Sequence, residues 1–531
     1  MWRSFSLCLL LSFLISFTRA TRTQLPFKHK RSPFDEKFNR LVNWTLDRWH
    51  VPGLSMAVVD GDDIFTDAWG YAHLPNTKAT PDTLYYGGSL TKSFTAAAMS
   101  ILISSGNYTD LSWGTSISSI IRDDFVLAEE WATAHISIED ALAHRTGVPR
   151  HDWSYGGAYG DDLHEGTPRD VVRSLRDLPF AAEPRTTFHY CNIMYVVIAH
   201  VVSTLSGKPL KDFLEDRIWE PLGMKSTYFS RSDALKAPED LAMGYIWHED
   251  GQYYKPTVYM DVEIMTGASS IISTVNDYAK WLRAFINESP PLSPDDYAEL
   301  KTPRNLLVPQ PESSPFTRFS LYALGWEIAF YNGYQIFQHT GNLEAFGCRV
   351  QLVPELNWAA VTCGNTPVTC VNAGIELINH LLDNKIQLRE EERFDWFNYH
   401  KISWQNRLDV YNSAKDTYYP QTLDFRPLSL ELARYAGTYY NPGYRNCTIY
   451  YKNGQLQIDR NYSFHVHVDL EHVTGDYFMA YIDSTSTPDT LFQKAVAAEF
   501  VVGPDGAARK FGIAIEATMG TDGRIWFERI D

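Results

Sequence analysis

The chain has 531 residues, more than one compact domain ordinarily holds, and 44% of them are apolar and 14% aromatic. That supplies more than one core and excludes a disordered or low-complexity chain. Asp plus Glu outnumber Lys plus Arg by 64 to 47, a formal charge of −17, which argues against nucleic acid or an anionic membrane surface as a bulk partner.

Residues Met1 to Ala20 read MWRSFSLCLLLSFLISFTRA. An early arginine, an apolar run from Phe5 to Phe17 and small residues at the last and third-last positions predict a cleaved signal peptide and a secreted protein. The run is too short to span a bilayer comfortably, and no later segment is apolar enough to be an integral membrane span. Cleavage removes Arg3 and Arg19 and no acid, taking the charge from −17 to −19. Secretion gives meaning to five Asn-x-Ser/Thr sites, at Asn43, Asn107, Asn287, Asn446 and Asn461, as glycan acceptors.

Residues 35–49 carry apolar side chains at helical spacing. LSMAVVD and DIFTDAWG then read as two strands joined by a Gly-Asp turn. Thr91 to Ser105 is apolar on most faces and predicts a buried helix, as does 192–205. Ser273 to Asp277 reads as a helix start before YAKWLRAFIN. Strand-like runs GWEIAFY, YQIFQHT, GCRVQLV and LNWAAVTC follow, then a helix at 371–383. Pro354 to Asn357 reads as the turn of a hairpin that sets Cys348 opposite Cys363, so a cross-strand disulfide is feasible. Pairing of Cys363 with Cys370 is the rival, and the sequence leaves both open. Neither CxxC nor HExxH occurs, so no metal site is expected.

Residues 389–417 are rich in charge and aromatics with weak helical periodicity. From Leu428 the chain turns to short alternating strands, beginning with ARYAGTYY, separated by turns such as Asn453-Gly454 and Asp522-Gly523. About eight strands in about 100 residues predict a small antiparallel barrel. The expected organisation is a signal peptide (1–20), an α+β unit with an antiparallel sheet flanked by helices (21–385), a partly helical connector (386–427) and a β-barrel (428–531).

Three short motifs carry chemistry. Ser89-Leu90-Thr91-Lys92, after two glycines and before an apolar helix, places a serine hydroxyl at a helix start with a lysine one turn up the same face. An apolar setting disfavours the charged lysine and suits it to act as a base. Tyr190-Cys191-Asn192, just before a helix, offers a phenol for proton relay and an amide for a substrate carbonyl. His339-Thr340-Gly341 sits at the end of a predicted strand, where Gly341 allows close approach of a substrate backbone. Each also fits a structural role: an N-cap serine with a solvated lysine, an ordinary helix start, a polar strand end.

In this order the motifs resemble those of the class C β-lactamase and serine peptidase S12 family. VPGLSMAVVDGD, ALAHRTGVPRHD, PLKDFLEDRIWEPLGMKSTYF and GASSIISTVNDYAKWLRAFIN resemble further blocks of that family, over residues 35–385. The tail more loosely resembles the lipocalin-like barrel appended to some members. The resemblance implies that Ser89 is the acylated nucleophile and that Lys92 and Tyr190 share general base and acid duty. It also implies that Asn192 orients substrate and that the backbone N–H groups of Ser89 and Asn342 form the oxyanion hole. His339, Thr340 and Gly341 would line the sheet side. No cofactor is implied, and the partner is a small-molecule or peptide substrate.

His339 stands where the β-lactamase pattern has lysine. A neutral imidazole pairs less strongly with a substrate carboxylate, so penicillin hydrolysis is discounted as the native task. The leading expectation is a secreted serine hydrolase of an amide or ester. The alternatives are an acyltransferase of the same fold and a catalytically retired binding protein. For the barrel, a structural module stands beside an apolar-ligand site and a cap over the cleft. The aromatic, Gly-rich stretch from His151 to Asp162 reads as a mobile lip.

Overall fold

The computed structural model describes residues 31–155, 166–257, 259–307, 314–316, 319–420, 424–461, 465–484, 493–520 and 522–531. The expected signal peptide and Gly156 to Asp162 of the expected lip lie outside them. Two strands, Gly53–Asp60 and Asp63–His73, pair as a hairpin. The first of them also pairs antiparallel with Trp358–Gly364, about 300 residues later. The sheet that results has nine strands. Their order is Thr77–Lys78, Asp63–His73, Gly53–Asp60, Trp358–Gly364, Phe346–Val353, Tyr334–Leu343, Glu327–Tyr331, Leu321–Tyr322 and Asn305–Leu306. Asn365 fastens the long-range join, accepting from the Gly53 N–H at 2.8 Å and donating to the Tyr71 carbonyl at 2.9 Å.

Both faces of the sheet are covered, so its central strands are buried on both sides, with Gln338, Arg349, Gln351 and Thr362 as buried polar residues among them. One face carries the amphipathic helix Val275–Asn287, begun by Thr274, whose hydroxyl accepts from the Asp277 N–H. Against it lies the helix Thr91–Ser104, which is buried almost all round; Phe94 stacks on Trp281 at 4.6 Å. Helix Asn192–Ser206 packs on that one in turn. The other face is covered by Val368–Lys385 and Glu36–Arg48, around a second core that includes Val42, Trp49, Leu377 and Leu381. The fold is therefore the expected α+β arrangement.

The hairpin of Phe346–Val353 and Trp358–Gly364 sets Cys348 directly opposite Cys363, and the two form a disulfide. Cys370, the rival partner, is a buried free thiol, as are Cys191 and Cys447.

Helices Trp396–Asn412 and Ala414–Tyr418 lead to the last unit. This is a closed eight-stranded antiparallel barrel running in sequence order from Gly437–Asn441 to Ile525–Arg529. The strand expected from Ala433 starts at Gly437, because Leu432–Tyr435 is a 3-10 turn that buries Tyr435 against Phe500 at 4.9 Å. Phe478, Phe500, Phe511 and Phe527 point inward and are at most 4% exposed. An eight-stranded barrel has an interior that side chains can fill or that can hold one small ligand, and these rings pack on one another inside it. Among the described residues no single helix is long and apolar enough to cross a membrane.

Candidate active site

Ser89 lies in the 3-10 turn Gly88–Leu90 that runs straight into the helix Thr91–Ser104. Gly88 has φ +52, in the left-handed region, and a Cβ there would meet the Asn342 nitrogen at 3.1 Å. A Cβ on Gly341 would lie 1.9 Å from the Gly87 carbonyl oxygen. The sheet strand and the nucleophile turn thus touch backbone to backbone, which only glycine permits. This contact brings the Ser89 and Asn342 backbones to one spot.

Two side chains converge on the Ser89 hydroxyl. Lys92 Nζ stands 3.1 Å from Ser89 Oγ, and Tyr190 Oη donates to the same oxygen at 2.8 Å. Lys92 Nζ also donates to Asn192 Oδ1 at 2.7 Å and to the Ala268 carbonyl at 3.0 Å. Two of its three neighbours are thus pure acceptors. A neutral amine has two N–H bonds for them and a lone pair for the Ser89 proton.

Burial drives the lysine toward that state. Lys92 is fully buried, and desolvation, reinforced by the Arg150 charge, holds its pKa well below the ordinary value. Burial pushes the Tyr190 phenol up, so it remains a proton donor. The His144 ring packs on Tyr190 at 4.2 Å, while His144 Nδ1 accepts from the Cys191 N–H at 3.1 Å.

His339 lies inside the strand Tyr334–Leu343 rather than at its end, since the ladder with Phe346–Val353 continues to Leu343. It is 3% exposed. Its Nδ1 is 2.7 Å from the Thr340 carbonyl and its Nε2 is 3.1 Å from Tyr322 Oη. The carbonyl only accepts, so Nδ1 carries the proton and Nε2 accepts from Tyr322. Burial, with Lys92 close by, takes its pKa down to about 3. Thr340 and Asn342 are half-buried beside it.

Among the described residues no group of His, Cys, Asp and Glu is placed to hold a metal ion.

A family model described as Beta-lactamase matches residues 38–382, and one described as a domain of unknown function (DUF3471) matches 426–529. The chain belongs to the β-lactamase family. It is 39% identical over 503 residues to the unguisins hydrolase ungD' of Aspergillus campestris, covering 94% of this chain and 92% of that one. It is 36% identical over 526 residues to the unguisins hydrolase ungD of Aspergillus violaceofuscus, covering 94% and 91%. The octameric penicillin-binding protein homologue from Pyrococcus abyssi shares the fold, with a TM-score of 0.58 at 20% identity over 93% of this chain and 99% of that one. The protein is a serine hydrolase of the β-lactamase fold.

Several residues of this β-lactamase-family site escaped the sequence reading. Asp152 Oδ1 accepts from Asn192 Nδ2 at 3.1 Å and its Oδ2 accepts from Arg150 Nε at 2.6 Å. His151, at φ +47, is held from the barrel: its Nδ1 lies 2.5 Å from Tyr444 Oη, and its Nε2 donates to the Pro179 carbonyl at 2.9 Å. Arg460, also from the barrel, donates to the Trp153 carbonyl at 2.7 Å. Glu516 stands 3.3 Å from Tyr444 Oη. The one local signal was the charged run Arg150-His151-Asp152 directly after Gly147-Val148-Pro149.

Of the expected glycan acceptors, Asn43, Asn107, Asn287 and Asn446 are exposed; the side chain of Asn461 lies outside the described residues.

Proposed function

We propose that this protein is a secreted hydrolase that cleaves an amide or ester through an acyl-enzyme on Ser89. The observation that carries the reading is the three-way environment of Lys92 Nζ, between Asn192 Oδ1, the Ala268 carbonyl and Ser89 Oγ. It leaves the amine lone pair facing the serine proton.

In this reading Ser89 Oγ attacks the substrate carbonyl and its proton passes to Lys92 Nζ. The tetrahedral oxyanion is met by the backbone N–H groups of Ser89 and Asn342. Tyr190 gives a proton to the departing amine or alcohol and is restored by the proton Lys92 holds, their side chains lying 4.9 Å apart from amine to ring centroid. Water then enters, gives its proton back through the same pair and releases Ser89. Their titrations are those of a coupled pair. Asn192, Thr340 and the strand at Gly341 orient the substrate.

The full-length relatives are named for hydrolysis of unguisins, so an unguisin is the first substrate to test. Purified protein incubated with an unguisin, p-nitrophenyl esters, D-amino acid amides and a cephalosporin reporter should hydrolyse the unguisin or an ester or amide, and leave the cephalosporin largely intact. No turnover of any of these substrates would contradict the reading, and rapid turnover of the cephalosporin alone would overturn the discount placed on β-lactams. Secretion is supported by the Met1–Ala20 pattern and fits with the Cys348–Cys363 disulfide and four exposed acceptor asparagines.

A further inference from the structure

We propose that Arg150 is a substrate-binding residue of this hydrolase, its guanidinium taking a neutral carbonyl oxygen of the acyl group beside the scissile bond. The inference rests on the acyl-enzyme reading and adds a specificity determinant to it.

The Arg150 guanidinium carbon is 5.0 Å from the centre of the Tyr190 ring, whose hydroxyl holds Ser89 Oγ at 2.8 Å. It therefore lies against the ring that holds the nucleophile. Its side chain is 49% exposed. Of its five N–H bonds, Nε–H is given to Asp152; the terminal nitrogens have no hydrogen-bond partner among the described residues. Two other polar side chains of the site are wholly or largely committed. Both ring nitrogens of His339 are engaged, by Thr340 and Tyr322. Asn192 spends its oxygen on Lys92 and one N–H on Asp152. His339, where the family's pattern has lysine, thus offers no free N–H here, and Arg150 supplies a forked donor beside Tyr190.

The segment that carries Arg150 is fixed in advance. His151 is clamped between Tyr444 and Pro179, and Arg460 holds the Trp153 carbonyl. A donor whose stem is already ordered loses little freedom on binding. The pairing with Asp152 also decides the kind of oxygen. Asp152 neutralises the guanidinium at 2.6 Å, so a substrate carboxylate would meet a carboxylate next to its partner, whereas a carbonyl meets only the free N–H groups.

Three esters of similar length test this. N-acetylglycine p-nitrophenyl ester carries an amide carbonyl, p-nitrophenyl pentanoate lacks it, and the p-nitrophenyl monoester of glutaric acid carries a carboxylate. In Arg150→Met, kcat/KM for the N-acetylglycine ester should fall about ten- to a hundredfold more than for the pentanoate, as for loss of a hydrogen bond to a charged donor. Arg150→Lys should recover part of it, with the change mainly in KM. A matched thermal midpoint excludes misfolding. Equal losses on the acetylglycyl and pentanoyl esters, or none on either, would overturn the proposal. A greater loss on the glutarate ester than on the acetylglycyl ester would overturn the choice of a carbonyl. If the wild type turns over none of the esters and forms no adduct at Ser89, it is the acyl-enzyme reading itself that fails.

Discussion

Lys92 and Asn192 are 100 residues apart in the chain, yet Lys92 Nζ donates to Asn192 Oδ1 at 2.7 Å inside a fully buried pocket. That bond orients the amine. With Ala268 taking its other N–H, the lone pair is left for Ser89. Replacing Lys92 by Met should lower kcat about a hundred- to ten-thousandfold. Burial holds the Lys92 pKa well below its ordinary value, so the wild-type rate should be lost as pH falls through that depressed pKa and the amine charges. His339, at about 3, stays neutral above that, so His339→Asn should leave the acid limb in place. A pH–rate profile of wild type and His339→Asn checks both statements.

Gly341 is where the sheet meets the nucleophile turn. A methyl group there has to displace the Gly87 carbonyl, 1.9 Å away, and with it Ser89. Gly341→Ala should therefore lower kcat/KM at least about tenfold, while Gly207→Ala, whose added carbon meets nothing within 4 Å, should leave kcat/KM near wild type. Ester turnover by the two variants makes the comparison. Because Gly207 has φ +70, its cost should appear only as about 1 kcal/mol in denaturant unfolding.

Glu516 joins the barrel to the catalytic unit through Tyr444 and His151. Burial, with Asp152 nearby, raises its pKa from 4.5 to about 7. The folded state thus keeps a proton that the unfolded chain releases, and this contribution to stability is lost as pH rises from about 4.5 to about 7. His151, lowered by burial to about 4, acts in the opposite sense and is present in both proteins. Glu516→Gln should match wild type near pH 4.5 and exceed it at pH 8, by at most about 3 kcal/mol. Urea unfolding of both proteins at the two pH values measures the difference.

Much of this site was legible because its chemistry is local. Ser89 and Lys92 are one helical turn apart, and Tyr190 and Asn192 flank the start of a helix, so spacing alone aligns them. The order of the motifs supplied the rest through the resemblance to a known family. What spacing cannot carry is a contact such as Tyr444 to His151, 293 residues apart. It depends on how the barrel docks, and neither residue stands in a periodic pattern. Arg150 and Asp152 stood in the block ALAHRTGVPRHD without roles of their own, because only the fold sets Arg150 over Tyr190 and Asp152 against Asn192. The end of the strand at His339 was misplaced because Gly341 and Asn342 look like turn residues, whereas tertiary pairing with Gly347 and Cys348 keeps them in the ladder.

The proposed secretion makes its own prediction. Protein recovered from the culture medium should begin at Thr21, shift in mass on enzymatic removal of N-glycans, and contain the Cys348–Cys363 cross-link in a peptide map. Replacing both cysteines by serine should lower the urea midpoint, with a ceiling of about 3 kcal/mol for a loop of this length, reduced because the hairpin ladder already holds the two strands together.

The acyl-enzyme on Ser89 is most directly tested by intact-mass spectrometry after brief exposure to an acylating p-nitrophenyl ester. Wild-type protein should gain one acyl group, located by peptide mapping on Ser89, and Ser89→Ala should gain none and turn over no substrate. Labelling or turnover by Ser89→Ala equal to wild type would contradict the account.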